Sequence, residues 1–175
     1  IINVNQQIEG FQINPSIGYL ESGGYVIVWN DQDINLNFEV HGQRYMSNGT
    51  RYGNNFKINN TINTVQSYPS IAGNKIYNSN HFLVCWTTNN NNIYNIYFQI
   101  YHNNIPIRTF DILIINSTNI IENARCAGLY NGNYIIVWNQ YDGIGTYNIY
   151  GQIIGDNGTL INNNFQINPV SPSPP

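Results

Sequence analysis

The sequence predicts an all-β fold made of three tandem four-stranded antiparallel β-repeats, each resembling a propeller blade. Three apolar runs ending in Trp are near-copies of one another: Tyr25-Val26-Ile27-Val28-Trp29, Phe82-Leu83-Val84-Cys85-Trp86 and Tyr134-Ile135-Ile136-Val137-Trp138. A second signature begins 27 residues after each Trp: Phe56-Lys57-Ile58-Asn59, Leu113-Ile114-Ile115-Asn116 and Phe165-Gln166-Ile167-Asn168. The Trp-to-Trp intervals of 57 and 52 residues indicate one supersecondary unit used three times.

Each repeat is expected to hold four strands, because runs rich in Ile, Val, Tyr and Phe alternate with Asn-Gly and Asp-Gly turns. In the first repeat these strands are residues 16–20, 25–30, 37–46 and 55–59. In the third repeat they are residues 125–130, 134–139, 147–154 and 164–168. The second repeat follows the same order with a longer first hairpin at residues 74–80.

The second strand of each repeat is apolar at consecutive positions, which predicts that both of its faces are buried. In the third strand apolar and polar residues alternate in part. Each unit is therefore expected to have a buried inner half and a more solvent-exposed outer half, as a propeller blade does. A β-trefoil or an open stack of sheets are the alternatives. We expect one domain over residues 1–168, with repeats near 11–55, 56–112 and 113–168, and a Pro/Ser-rich linker or tail at 169–175.

Composition excludes several classes of function. Charged residues make up 9% of the chain and the net charge is −3, so there is no basic field for nucleic acid. No apolar run approaches the roughly 18 residues of a membrane helix. The three His residues are scattered without metal-ligand spacing, and no Gly-x-Ser-x-Gly nucleophile motif occurs. The sequence therefore predicts a protein that is not an enzyme, with no catalytic residues, cofactor or metal.

The repeats resemble those of large secreted and cell-surface adhesin-like proteins, which follow the pattern G-F-V-V-V-W…D-G…I-Y-G-Q…D-x-x-G…F-x-V-N. The third repeat carries the resemblance at Trp138, Asp142-Gly143, Ile149-Tyr150-Gly151-Gln152, Asp156-Asn157-Gly158 and Phe165-Gln166-Ile167-Asn168. The second repeat has Gln99 but lacks the Gly before it. The resemblance implies a β-blade array and an extracellular setting, and it carries over no ligand or catalytic residue.

In an extracellular setting we expect two kinds of covalent modification, N-glycosylation and a disulfide bond. The N-glycosylation sequons are at Asn48, Asn59, Asn116 and Asn157, and turn or strand-end positions favour exposure of these side chains. Cys85 and Cys126 occupy inward-facing positions on strands of neighbouring repeats, so we expect a disulfide between them. The alternative is two buried, apolar thiols.

The second signature occurs four times, because Phe11-Gln12-Ile13-Asn14 precedes the first full repeat. Three units need three such strands, so the extra one is expected to pair with Phe165-Gln166-Ile167-Asn168 of another copy, giving head-to-tail self-association. The predicted function is a structural or adhesive module of an extracellular fibre or coat. The alternative is a glycan-binding lectin, in which Tyr94, Tyr97, Tyr147 and Tyr150 present stacking surfaces.

Overall fold

A computed structural model describes residues 3–6, 9–33, 37–60, 64–74 and 80–168 of the 175-residue chain. Within these residues the fold is all-β, with three antiparallel sheets and no helix. Each sheet follows sequence order as a meander, so the predicted blade-like repeat is confirmed. The predicted tail at 169–175 and most of the longer hairpin at 74–80 lie outside the described residues.

The three sheets are called blades 1, 2 and 3. Blade 1 contains β1 (Gln12–Tyr19), β2 (Tyr25–Gln32), β3 (Phe38–Tyr45) and β4 (Arg51–Lys57). Blade 2 contains β5 (Val65–Gly73), β6 (His81–Asn90), β7 (Ile93–His102), a two-residue β8 (Ile105–Pro106) and β9 (Ile112–Ser117). Blade 3 contains β10 (Ile121–Gly128), β11 (Tyr134–Tyr141), β12 (Tyr147–Ile154) and β13 (Leu160–Gln166). The expected boundaries near 55/56 and 112/113 therefore fall inside β4 and β9.

The prediction of a surplus strand at Phe11-Gln12-Ile13-Asn14 is wrong. Gln12 and Ile13 pair with Asp31 and Asn30 of β2, and the Phe11 carbonyl accepts a hydrogen bond from Gln32 N. This segment is the first half of β1, which continues to Tyr19 after a bulge. Asn14 lies in the bulge with a φ of 55°, a left-handed conformation that Asn tolerates. The bulge and the following Pro make one strand look like two in the sequence.

The blades pack face to face through two apolar cores. On each second strand, the front face carries the Trp and the back face carries the alternate residues. The back face of blade 1, with Val26 and Val28, packs against the front face of blade 2, with Val84 and Trp86. The back face of blade 2 packs in the same way against the front face of blade 3. The inner strand β5 contacts both β1 and β10, so blade 2 lies in the middle.

All three Trp side chains are buried, at 3% exposure for Trp29, 0% for Trp86 and 1% for Trp138. Trp86 stacks on Tyr97, and Trp138 stacks on Tyr150, its cross-strand neighbour. These two Tyr rings therefore support the core rather than form a free stacking surface. The prediction that the Trp residues are core residues in equivalent strand positions is confirmed.

A buried glutamine fixes the outer hairpin of each blade. The Gln152 amide donates hydrogen bonds to the carbonyls of Ile153, Ile161 and Asn162, across a bulge between β12 and β13. Gln43 makes the equivalent contacts in blade 1, and Gln99 does so in blade 2. The Gln of the I-Y-G-Q pattern is thus a structural residue.

The missing Gly before Gln99 has a packing explanation. In blade 3 the Phe165 ring covers Gly151, so that a Cβ there would lie 3.1 Å from the ring. In blade 2 the equivalent pair is Phe98 opposite Ile112. In blade 3 the aromatic side chain is therefore on the fourth strand, at Phe165, whereas in blade 2 it is on the third strand, at Phe98. Either arrangement fills the space between the two strands.

Candidate functional site

The back face of blade 3 is an apolar sheet surface that no part of the described chain covers. It is called the open face and consists of Ile135, Val137, Ile149, Ile153, Phe165 and Ile167. Along β11 the front residues Tyr134, Ile136 and Trp138 are buried, whereas the alternating back residues are only half-buried. Ile149 and Phe165 are 41% exposed and Ile167 is 47% exposed.

The equivalent residues of blade 1 show what this surface does elsewhere in the molecule. Val28 and Val40 are 0% exposed and Ile58 is 2% exposed, because blade 2 covers them. Ile167 matches Ile58 even in its backbone, since each N–H donates to the third strand, at Ile149 and Val40 respectively. The open face is therefore a blade-packing surface without its partner blade.

The opposite end of the molecule, called the blade 1 end, is partly covered by the chain, although Ile17 and Tyr19 are 63% and 48% exposed. Residues 3–6 lie across the front face of blade 1, where Tyr45 Oη donates to the Val4 carbonyl and Gln6 Oε1 accepts from Asn55 N. Val4 and Asn5 line a small cavity of about 150 Å³ with Trp29 and Ile27. The front face of blade 1 is thus partly covered by the chain itself.

Inner-strand geometry also distinguishes blade 1 from the others. Tyr19, Gly73 and Gly128 occupy equivalent positions, opposite Tyr25, Phe82 and Tyr134. A Cβ on Gly73 would lie 1.9 Å from the Tyr19 carbonyl oxygen, and a Cβ on Gly128 would lie 2.1 Å from the Gly73 carbonyl oxygen. A blade that follows another must therefore have Gly at this position, and blade 1 has Tyr.

A cleft of about 350 Å³ separates blade 2 from the inner strand of blade 3. Hydroxyl, amide and aromatic residues of blade 2 line one side, and β10 lines the other: Ser67, Tyr68, Thr87, Thr88, Asn89, Tyr94, Ile121, Glu122 and Asn123. Tyr68 is 52% exposed and also lines a neighbouring groove that contains Pro15 and Arg125. The Tyr68 hydroxyl and the Glu122 carboxylate form no hydrogen bond with the described part of the chain.

Tyr68 has an unusual backbone conformation. Its φ is 51°, and the bulges of the other inner strands place Asn14 and Asn123 in the same left-handed region. Asn adopts this region readily, whereas a bulky aromatic residue there is an outlier that costs on the order of 1–3 kcal/mol. Tyr68, which has this strained backbone conformation, also lines the cleft with an exposed aromatic side chain.

Among the described residues, the two blade junctions differ in one side chain at the position of this cleft. At the first junction, Asn30 donates to the Gln66 carbonyl and accepts from Tyr68 N, so its amide bridges the two blades. At the second junction the equivalent residue is Thr87, whose hydroxyl donates to the Ser67 carbonyl of its own blade. The shorter side chain leaves the gap open. This difference is visible in the sequence, but its consequence depends on the packing of the blades.

The predicted glycosylation residues fall in different environments. Asn48 and Asn157 are exposed in equivalent turns, where their side-chain oxygens accept hydrogen bonds from Thr50 N and Thr159 N. Asn116 is exposed, although its amide donates to Asn95 Oδ1. Asn59 is only 2% exposed and is bonded to Val40 N and Glu39. The expectation that Asn59 is accessible is wrong, because its amide ties the end of the fourth strand to the third.

Cys85 and Cys126 meet in the core between blades 2 and 3, as the repeat alignment predicts. Both are free thiols in this structure, so the expected disulfide is not formed. The contact with Cys126, together with burial, raises the pKa of the Cys85 thiol well above its ordinary value. Cys126 Sγ also lies 3.5 Å from the Ser70 hydroxyl. The pair packs as small apolar side chains between two sheets.

The titratable groups of blade 1 have structural partners. Glu39 forms an ion pair with Lys57, with a separation of 2.9 Å, and Asp31 contacts His41 at 3.0 Å. Burial lowers the pKa of His41, which keeps the imidazole neutral near pH 7. Among the described residues, no group of three His, Cys, Asp or Glu side chains is arranged to hold a metal ion, and no helix could span a membrane.

Comparison with known proteins locates the fold but not a family. No protein-family model and no curated protein matches the sequence. Among solved structures the chain is similar to Hadza microbial sialidase Hz136, with a TM-score of 0.60 and 9% sequence identity. The match covers 85% of this chain and 36% of that chain, so the present chain spans about a third of that protein's length. The likeness supports a propeller-like fold.

Proposed function

We propose that this chain is a non-enzymatic structural module of an extracellular surface assembly, and that it binds a second copy of itself through the open face. The observation that carries the proposal is the contrast between the two ends of the molecule. At the blade 1 end, residues 3–6 cover part of the front face and Tyr19 stands where a following blade needs Gly, whereas the blade 3 end presents Ile149, Phe165 and Ile167 to solvent with no covering segment among the described residues.

A second open face is the occupant that fits best. Sheets of this type pack face to face through apolar side chains, and the open face supplies six Ile, Val and Phe side chains, with Arg125 and Asn139 beside them on the same side of the sheet. The front face of blade 1 in another copy is a poor partner, because Tyr19 stands where a following blade needs Gly. Two open faces related by a two-fold axis bury the same apolar set on both copies. This arrangement favours a closed pair over a head-to-tail fibre.

Sedimentation velocity over a concentration series tests the proposal. We expect the wild-type chain to form dimers, and the double variant Ile149→Asn, Phe165→Asn to remain monomeric with unchanged circular dichroism. The matched control is Tyr19→Asn, which removes a similarly exposed aromatic side chain from the blade 1 end and should leave the dimer intact. A wild-type chain that stays monomeric at high concentration, or a double variant that still dimerises, would refute the proposal.

A further inference from the structure

We infer that the cleft between blades 2 and 3 is a binding site for a neutral saccharide, with Tyr68 as the surface on which a pyranose ring packs. The inference is separate from self-association, because the open face lies on the opposite side of blade 3. The cleft has a volume of about 350 Å³, which is within the lower range of small-ligand sites.

The chemistry of the lining matches a sugar. A pyranose presents an apolar C–H face and a rim of hydroxyl groups, so it needs an aromatic surface beside polar side chains. The exposed Tyr68 ring and the half-buried Tyr94 provide the aromatic surface. Ser67, Thr87 and Asn89 contribute hydroxyl and amide groups to the same wall.

Charge around the cleft favours a neutral ligand. Glu122 is the charged residue among those lining the cleft, and its carboxylate accepts hydrogen bonds from hydroxyl groups but repels an acidic sugar. Arg125 lies in the neighbouring groove beyond Tyr68 and does not line the cleft. A neutral hexose is therefore preferred over a uronic acid.

The repeat itself shows that Tyr68 is not needed for the fold. Asn14 and Asn123 occupy the same bulge position in blades 1 and 3 with nearly the same φ. Replacing Tyr68 with Asn should relieve backbone strain while removing the aromatic surface. This variant therefore distinguishes a role of Tyr68 in binding from a role in folding. Loss of binding in a variant of equal or higher stability cannot be attributed to unfolding.

Saturation-transfer NMR with the neutral sugars lactose, maltose and methyl α-mannoside, each at tens of millimolar, and with glucuronate as the acidic comparison tests the inference. We expect transfer from the wild-type protein to at least one of these sugars, and its loss in Tyr68→Asn, whose melting temperature should equal or exceed that of the wild type. Tyr130→Asn is the matched control, because Tyr130 is 92% exposed and lies away from the cleft, and it should retain the signal. The inference fails if no sugar gives transfer, if Tyr68→Asn keeps it, or if only glucuronate binds.

Discussion

At the scale of single residues, the packing of the inner strands depends on two glycines. Gly73 and Gly128 allow the carbonyl of the preceding blade to approach their Cα atoms. We expect Gly73→Ala to lower the free energy of unfolding by about 3 kcal/mol, because a Cβ would overlap the Tyr19 carbonyl oxygen and push the blades apart. Urea denaturation measures the effect.

The control for this substitution is Tyr19→Ala, which places Ala at the equivalent position of blade 1. Tyr19 is 48% exposed and no carbonyl of another blade approaches it among the described residues, so we expect a change of under about 1 kcal/mol. Equal effects of the two substitutions would show that the close approach at Gly73 does not hold the blades in place.

Asp142 provides a prediction about pH. Its carboxylate accepts hydrogen bonds from the Thr146 hydroxyl and from the N–H groups of Ile144, Gly145 and Thr146, which lower its pKa from 3.8 to about 2. The folded state therefore gains stability from the ionised form above pH 4, and this gain disappears as the pH falls through 2. The melting-temperature difference between wild type and Asp142→Asn should shrink from pH 5 to pH 2.

Asp156→Asn is the control for this titration. Asp156 is an exposed turn residue and accepts no hydrogen bond within the described part of the chain. Its replacement should change the melting temperature only slightly. A constant difference for Asp142→Asn would mean that the hydrogen bonds of this turn do not depend on the charge.

The thiol pair gives a third prediction at this scale. Cys85 is fully buried and its pKa is raised, so a maleimide should leave it unmodified in the native protein at pH 8, where little thiolate is present. In urea both cysteines should react. Intact mass of the native, unreduced protein checks the oxidation state, and a mass lower by two hydrogens would show that the disulfide forms in solution.

At the scale of elements, the outer hairpins depend on the buried glutamines. We expect Gln152→Leu to destabilise the protein by about 2 kcal/mol, because the carbonyls of Ile153, Ile161 and Asn162 lose their donor at a β-bulge. Thermal unfolding measures the change. Asn163→Leu, at an exposed position of β13, should have little effect, and a similar loss in both variants would argue against a specific role of Gln152.

The strands around the Trp residues could be predicted closely from the sequence. β2, β6 and β11 each contain the continuous apolar run, and the starts of β2 and β11 at Tyr25 and Tyr134 agree with the prediction. Burial of both faces holds for β6 but not for β11, whose back residues Ile135 and Val137 are only half-buried. The first strands began later in the prediction than in the structure. Asn14 and Pro15 look like a turn in sequence, although in the structure they form a bulge inside β1.

The candidate sites were harder to predict because they depend on contacts between blades. The sequence does not indicate that Tyr68 adopts a left-handed conformation. Tyr is common in ordinary strands, and a Tyr-Pro pair at this position does not by itself indicate a bulge. Thr87 differs from Asn30 by only a few atoms, and that difference opens a cleft only when two blades are placed side by side. The open face, likewise, consists of the same residue types as the buried faces of blades 1 and 2.

At the scale of the whole molecule, the order of the blades should set the order of local unfolding. Blade 2 is covered on both faces, and Phe82, Leu83, Val84 and Cys85 are 0% exposed. We expect hydrogen exchange to be slowest in β6 and faster in β11 and β12, whose back residues face solvent. Uniform protection across the three blades would show that the molecule opens only as a single unit.

Concentration should change this pattern if the open face binds a second copy. Raising the protein concentration should slow the exchange of β12 and β13 without affecting β1 to β3. The double variant Ile149→Asn, Phe165→Asn should show no such dependence. Slower exchange in blade 1 instead would place the contact between copies at the blade 1 end.

The glycine positions of the inner strands also limit how such a gene can grow by duplication. A copy of the third unit added after blade 3 would bring Gly128 to the point where the next inner strand meets the preceding carbonyl, so the added unit could pack at once. A copy of the first unit inserted between existing blades would bring Tyr19 to that point and would disrupt the array. Lengthening of the protein by tandem duplication is therefore expected to copy units that have Gly at this position rather than blade 1.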